Sequence, residues 1–405
     1  MIDSITMNHI IDIPLDAFRP DQWSHRYSTH NGHTSDFYTH YYHGLRIFYK
    51  PSTHRLTIIG RLVTTSIHPD RITNLDELLA GITEPQVRQD HTGPEVTYSL
   101  EHACQNLHDL TQSINEYLSI LIGQSIDIRV FQVTLIEVCF NVITDHVAEY
   151  IELFNAIFEK RKLARYKNFV LERSLPLYSS FYIKGKVQYE KKESRGFVVN
   201  FYNKLNQLQF LLRISQTSLM NKEAMVPFGL NDFIRTDKVL RMEVKCHYKA
   251  LYEMYHGAPR YFESFLNPDD CRDIVKDRYE YLLGHADCDF YSYQAAISKI
   301  DSSDLTDRQS VSLKDYILSS IRNHHVSMYK DYRYRGLLRR LGIHWYLIPT
   351  RWGIDYLESP IKMLNRQVEQ TWSDIASYEQ RMAITLAEID LHNSIEVSDD
   401  EVIII

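Results

Sequence analysis

The residues best suited to chemistry lie in residues 197–208, where a tyrosine is followed two positions later by a lysine. The β-branched and aromatic residues before Tyr202 predict a strand, so the side chains of Tyr202 and Lys204 share one face. A tyrosine with an ordinary pKa of about 10 is a poor nucleophile, whereas a nearby cation favours the phenolate and can hold a phosphate oxygen. This pair suits attack on a phosphodiester. The structural alternative is a half-packed ring beside a solvated lysine.

Two other strand-like segments carry oxygen-bearing side chains. Alternation places them on one face of each segment: Glu137 and Asn141 in residues 133–142, and Glu243 beside Arg241 in residues 239–245. If these strands neighbour the tyrosine strand, two carboxylates and an amide oxygen meet near the tyrosine, and such ligands suit Mg²⁺ or Mn²⁺. The alternative is a solvated Arg241–Glu243 pair and a simply exposed Glu137.

Two further residues are weaker candidates for the same site. Tyr182 precedes Lys184 by two positions in another strand-like segment, so it is the rival nucleophile. His68 lies before a proline at the end of a predicted strand, and a neutral histidine there could complete a metal site. The alternative for His68 is a hydrogen-bonded surface residue.

Four segments together resemble the replication initiators of filamentous phages and related plasmids, the gene II/X family. They are Met-Ile-Asp-Ser-Ile at 1–5, the strand around Glu137, Phe-Tyr-Asn-Lys-x-x-Gln-Leu at 201–208, and Leu-Arg-Met-Glu-Val-Lys at 240–245. The resemblance covers roughly residues 1–345. The chain departs from the family in having Glu137 where an aspartate is more usual. It also lacks the His-hydrophobic-His motif of many other rolling-circle nucleases.

The resemblance implies a nicking and joining enzyme for rolling-circle replication. Such an enzyme cuts one strand at the origin, stays joined to the 5′ end through a tyrosine, and later rejoins the strand. The resemblance makes Tyr202 the nucleophile and Lys204 its neighbour, and it assigns Glu137 and Glu243 to the metal site. In the mechanism that we expect, Asn141 helps to hold the metal, and Lys204 and Arg241 stabilise the phosphoryl charge. The implied partners are origin DNA, with a single-stranded segment at the nick, a host helicase and a DNA polymerase.

Two alternatives from other functional classes remain open. A non-catalytic origin-binding or repressor protein would bind the same DNA and form no covalent adduct. A metal-dependent nuclease that activates water would release a free 5′ phosphate.

Composition is consistent with a globular protein in a reducing compartment. The 405 residues include 44% hydrophobic residues, enough for a large packed core. The five cysteines have no Cys-x-x-Cys spacing, which favours free thiols over a zinc site or a disulfide framework. The sequence predicts no signal peptide and no membrane span. We therefore expect a cytoplasmic protein with no membrane partner, and the resemblance implies the cytoplasm of the host cell of a phage or plasmid.

Basic residues are concentrated around the tyrosine strand. Residues 160–249 contain 19 lysines and arginines against 7 acidic residues, a net charge of +12, although the whole chain has −7. Cations with interleaved tyrosines can neutralise phosphates while the rings stack on bases. The predicted DNA-binding residues form two groups: Lys184, Lys186, Lys191, Lys192 and Arg195, and then Lys330, Arg333, Arg335, Arg339 and Arg340. A solvated lysine-rich loop is the alternative for the first group.

The order of patterns predicts an α+β fold with helices packed on one side of an antiparallel sheet, followed by a mostly helical C-terminal region. The resemblance implies that this sheet has the rolling-circle initiator nuclease fold. We expect helices at 145–161, 262–284, 289–299, 312–323 and 331–341, and a long one from Pro360. The expected organisation is a catalytic DNA-nicking domain at 1–257, a helical domain at 258–345 as a candidate for duplex-DNA binding, a C-terminal helix at 346–395, and an acidic disordered tail at 396–405.

Overall fold

The architecture is α+β, with one large antiparallel sheet and eight helices among the described residues. The computed structural model describes residues 2–30, 33–42, 45–60, 85–90, 93–98, 111–112, 114–161, 163, 166–168, 180–185, 196–203, 238–321, 327–366 and 368–369.

Fourteen strands are formed in this part of the chain. They are β1 (Ile2–Ile10), β2 (Ser24–His30), β3 (His33–Tyr42), β4 (Leu45–Lys50), β5 (Arg55–Gly60), β6 (Pro85–Asp90), β7 (Gly93–Tyr98), β8 (Gln132–Ile143), β9 (Tyr166–Asn168), β10 (Ser180–Gly185), β11 (Phe197–Asn203), β12 (Val239–His247), β13 (Phe290–Tyr291) and β14 (Tyr356–Leu357). Ten form the main sheet in the order β2-β3-β4-β5-β1-β8-β12-β11-β10-β9, and β6-β7 and β13-β14 form separate pairs.

The helices lie mostly in the second half of the described chain. They are α1 (114–122), α2 (Val147–Arg161), α3 (Tyr248–Met254), α4 (Pro268–Leu283), α5 (Tyr293–Asp301), α6 (Asp307–Ile321), α7 (Met328–Arg340) and α8 (360–366). None of the described helices is both long enough and apolar enough to cross a membrane.

The central strands have one apolar face and one polar face because apolar residues alternate with polar ones along them. In β11, Val199 and Phe201 are fully buried and point to the side where α2 and α4 pack. The ring of Phe154 in α2 makes edge-to-face contacts with Phe201 and with Tyr279 of α4. This aromatic cluster fixes two helices on one face of the sheet and leaves the opposite face to the polar side chains.

One hydrophobic core joins the sheet to the helices that follow it. The cluster of buried residues runs from Ile2 to Val368, and it includes Tyr279 together with Phe201. Residues on both sides of the boundary expected at 257/258 therefore share one core.

Several elements differ from the sequence predictions for identifiable local reasons. The helix expected at 262–284 is a 3-10 turn, Phe262–Leu266, followed by α4, because Pro268 occupies its first turn and the Asn267 side chain caps it. The helix expected at 289–299 begins only after β13, where Ser292 caps the backbone of α5. The β2-β3 hairpin was not predicted. Residues 360–366 are helical as expected, and 370–405, which include the predicted tail, lie outside the described residues.

Candidate active site

The three strands that carry the candidate residues are neighbours in the sheet, in the order β8-β12-β11. Arg241 of β12 is paired with Tyr202 of β11 on one side and with Asn141 of β8 on the other. Glu243, two positions after Arg241, is paired with Cys139 of β8. Paired residues and those two positions along a strand lie on the same face of a sheet. The structure therefore brings Tyr202, Glu243, Glu137, Arg241 and Asn141 together on the face opposite α2 and α4.

The Tyr202 side chain is deeply enclosed and already has a partner. Its hydroxyl donates a 2.6 Å hydrogen bond to Oε1 of Glu243, and the residue is only 5% exposed. Burial raises the pKa of Tyr202 well above its usual value; the nearby Arg241 charge opposes this shift and Glu243 adds to it. The side chain is therefore a neutral phenol near pH 7, so its use as a nucleophile requires a proton acceptor.

Arg241 is buried on this face and its positive charge lies beside the carboxylate of Glu243. Its Nε lies 2.6 Å from the same Oε1 that accepts the Tyr202 hydrogen bond, and the residue is 1% exposed. The alternative of a solvated pair is therefore wrong. The sequence pattern predicted that Arg241 faces a phosphate, whereas in the structure its Nε points to the carboxylate of Glu243.

Glu137 belongs to a second polar cluster, centred on its pairing with Lys245, two positions along β12 from Glu243. Its Oε2 accepts a 2.7 Å hydrogen bond from Ser4 Oγ and lies 3.1 Å from Nζ of Lys245. The carboxylate is partly buried, with 20% of the side chain exposed, so the alternative of a simply exposed Glu137 does not hold. Lys245 lies two positions after Glu243 and therefore shares its face of β12, as alternation in the sequence indicates. The contribution of Ser4 depends on the β1-β8 register, for which the local sequence gives no signal.

The oxygen atoms on this face match the donors that a hard divalent cation takes. Besides the two carboxylates, Oδ1 of Asn141 is buried and has no hydrogen-bond partner among the described residues. No group of three or more His, Cys, Asp or Glu side chains within the described ranges is arranged to hold a metal ion. Magnesium commonly uses one or two carboxylates together with water and substrate phosphates. Glu137, Glu243 and Asn141 fit that pattern.

The rival nucleophile, Tyr182, lies on the same face and is less enclosed than Tyr202. It is paired with Asn200, which is itself paired with Glu243. Its side chain is half-buried, and burial raises its pKa; the charge of Glu137 adds to this effect and Lys245 opposes it. Tyr182 and Tyr202 therefore flank one polar surface.

The other predicted binding residues are distributed over separate elements. Lys184 is half-buried on β10, and Lys330, Arg333, Arg335, Arg339 and Arg340 all lie on α7. Six predicted residues lie outside the described residues: His68, Lys186, Lys191, Lys192, Arg195 and Lys204.

Comparisons with protein-family models, with curated proteins and with solved structures found no match for this chain.

Proposed function

We propose that this chain is a rolling-circle replication initiator that nicks one DNA strand at the origin through a tyrosine and later rejoins it. The observation that carries the proposal is the convergence of Tyr202, Glu243 and Glu137 on one face of three adjacent strands. A hydroxyl and a carboxylate in direct contact, with a second carboxylate nearby, provide a nucleophile, a proton acceptor and metal ligands. The resemblance to the gene II/X initiators supports the same assignment.

In the proposed reaction, the Tyr202 oxygen attacks the scissile phosphorus and its proton passes to Oε1 of Glu243. The new bond joins the phosphorus to the tyrosine oxygen, and the bond to the 3′ oxygen breaks. That oxygen takes up a proton from solvent water and becomes the 3′ hydroxyl that primes synthesis, while Glu243 releases the tyrosine proton to solvent. The reverse reaction, attack of a 3′ hydroxyl on the phosphotyrosine, rejoins the strand and needs no other energy source. Because Tyr202 is 5% exposed, the side chains that cover it must move when the strand enters.

Glu137 and Glu243, with Asn141 beside them, would hold Mg²⁺ or Mn²⁺, which polarises a scissile phosphate when bound. Arg241 keeps Glu243 ionised and therefore able to accept the proton or to bind the metal. In this proposal Arg241 acts through Glu243, and Lys204 is the residue expected to meet the phosphoryl oxygens.

The proposal also assigns the sheet to the rolling-circle initiator nuclease fold. An antiparallel sheet with helices on one face and a polar site on the other supports this assignment. The corresponding partners are origin DNA, a host helicase and a DNA polymerase in the host cytoplasm.

The test is detection of the covalent adduct. The protein is incubated with a labelled supercoiled plasmid that carries its own replicon's origin, together with a divalent metal, and protein-linked DNA is measured in detergent. We expect wild type and Tyr182→Phe to form the adduct and Tyr202→Phe to bind DNA without forming it. An adduct in Tyr202→Phe that is lost in Tyr182→Phe would transfer the role to Tyr182. Absence of any adduct in the wild type would overturn the function.

One observation favours a second candidate, a non-catalytic origin-binding or repressor protein. The Tyr202 hydroxyl is buried and hydrogen-bonded to Glu243, as in a purely structural polar cluster. Such a protein would bind the origin plasmid in the same experiment but leave it uncut, so the adduct distinguishes the two functions.

A further inference from the structure

Helix α7 has an inward face that anchors it to the rest of the protein. Leu338 is fully buried, and the ring of Tyr334 stacks on that of Tyr316 in α6 with centroids 5.0 Å apart. The Tyr316 hydroxyl also donates a 2.6 Å hydrogen bond to Asp331. Asp331 is the only acidic residue of the helix, and its carboxylate is therefore engaged on this inward side.

Two of the five cations on α7 belong to the same anchoring contacts. Arg335 lies 2.9 Å from Asp331, and its guanidinium stacks 4.0 Å from the ring centroid of Trp345. Arg339 lies 3.0 Å from Oε1 of Glu280 in α4. Both arginines have protein partners, so their charges are largely compensated within the molecule.

The opposite face of α7 consists of exposed rings and cations. Tyr329 is 76% exposed and Tyr332 is 84% exposed. Arg333 and Arg340 are also exposed, and a side chain built on Gly336 would meet no atom within 4 Å. Positions 329, 333, 336 and 340 follow the spacing of one helical face, about 16 Å long. The face contains no acidic residue, and Lys330 is exposed at its flank.

We propose that this outward face of α7 lies in a groove of double-stranded DNA and contacts its phosphate backbone. Arginines without neighbouring acids attract phosphates, and tyrosine hydroxyls donate hydrogen bonds to phosphate oxygens. A convex helix fits the major groove of the duplex, which is about 12 Å wide, better than it fits a flexible single strand. Gly336 leaves room for the helix backbone to come close to the DNA. This inference rests on the proposed function, because it identifies how the initiator holds duplex DNA.

The test measures binding of the full chain to a labelled duplex of about 30 base pairs, close to three helical turns, over a series of KCl concentrations without divalent metal. In Arg333→Ala/Arg340→Ala, we expect weaker binding and a log-log salt slope flatter by about 0.9 for each lost phosphate contact. The matched control is Arg129→Ala/Arg351→Ala, which removes two exposed arginines elsewhere that pair with Asp127 and Glu152. The control should keep the wild-type slope.

Two single variants distinguish residues of α7 that contact DNA from residues that anchor α7 to the rest of the protein. Gly336→Ala should raise the thermal midpoint, because alanine favours the helix, and yet weaken duplex binding. Arg335→Ala should lower the thermal midpoint and leave the salt slope unchanged. The inference is overturned if Arg333→Ala/Arg340→Ala binds duplex with the wild-type slope, if the wild type does not bind duplex, or if a single strand of equal length binds more tightly through the same residues. The binding assay does not measure adduct formation. A protein that binds duplex as expected but forms no adduct in the plasmid assay would therefore refute the proposed function and leave this inference standing.

Discussion

Tyr202 and Glu243 lie diagonally across the β11-β12 pair, and the tyrosine hydroxyl donates a 2.6 Å hydrogen bond to the glutamate Oε1. Arg241 lies 2.6 Å from the same oxygen. One carboxylate oxygen therefore accepts hydrogen bonds from both the phenol and the guanidinium, and Tyr202 and Arg241 are buried from solvent. The three side chains form one unit, and a change in one of them alters the surroundings of the other two.

The two glutamates on the polar face should differ in their importance for stability. Glu243→Gln leaves the buried Arg241 without its counter-charge, so we expect a loss of about 3–5 kcal/mol in the free energy of unfolding. Glu137→Gln removes a partly exposed pair with Lys245 and should cost no more than about 1 kcal/mol. Urea unfolding of both variants measures the difference. Equal small losses would show that the Arg241–Glu243 pair is not a buried charge pair in solution.

Removing both charges should restore part of the stability that one substitution removes. We expect Arg241→Met/Glu243→Gln to be more stable than Glu243→Gln alone, because the double variant leaves no uncompensated buried cation. Each single variant and the double variant are compared in one double-mutant cycle by urea unfolding. Additive losses would contradict a direct interaction between these two residues.

Chelation should separate chemistry from binding. If Glu137 and Glu243 hold a divalent cation, EDTA abolishes nicking of the origin plasmid but leaves duplex binding unchanged, and Glu137→Gln, which costs little stability, gives the same result. Cleavage assays and binding assays on the same preparations measure both effects. Nicking that continues in EDTA would instead favour activation of the tyrosine by protein groups alone.

The buried His344 should make the protein sensitive to acid. Nδ1 of His344 accepts a hydrogen bond from the Tyr346 N–H, and Nε2 lies 3.2 Å from the Gly284 carbonyl oxygen. These contacts define a neutral ring protonated at Nε2. Burial lowers the pKa of His344 to about 3, with a contribution from His285.

Acid should destabilise the folded protein, because the unfolded chain binds a proton at residue 344 more readily than the folded protein does. In the unfolded chain a histidine has a pKa of about 6.5, so the unfolded state binds the proton first as the pH falls. Stability should therefore decline from about pH 6.5 towards pH 3, with a slope of about 1.4 kcal/mol per pH unit for this residue. His344→Asn should flatten the pH dependence of urea unfolding in that range. An unchanged slope would mean that His344 titrates normally.

The aromatic cluster under the sheet should couple the helical region to the strands. Phe154→Ala removes a ring that contacts Phe181, Phe201 and Tyr279, and we expect it to cost about 3–5 kcal/mol. Because the core is continuous, unfolding should remain a single transition when monitored by tryptophan fluorescence and by circular dichroism. A separate transition for residues 258–345 would instead support an independent helical domain.

Alternation in the sequence was sufficient to predict β8, β11 and β12 and the shared face of Glu137, Asn141, Tyr202, Arg241 and Glu243. It could not predict that Tyr202 is enclosed and bound to Glu243, because that contact depends on strand register and on what covers the face. The role of Arg241 was missed for the same reason. A lone Arg-x-Glu pattern is equally compatible with a solvated pair and with a buried one, and only the surrounding packing distinguishes them.

The β2-β3 hairpin was missed for a different reason. Its strands are rich in serine, threonine, histidine and tyrosine, and they lack the regular apolar alternation of β4. Its pairing is specified by tertiary contacts, such as the stacking of Tyr38 on Phe18 at 4.3 Å.

The position of β1 in the middle of the sheet has a consequence for protein synthesis. β1 pairs with β5 on one side and with β8 on the other, and its Ser4 contacts a residue 133 positions away. On the ribosome, β1 to β5 can pair early, but the second edge of β1 stays open until β8 has emerged, and such edges promote aggregation. We therefore expect the nascent chain to be prone to aggregation over a long interval of its synthesis. A product that ends before Gln132 would never leave that interval, and we expect it to aggregate.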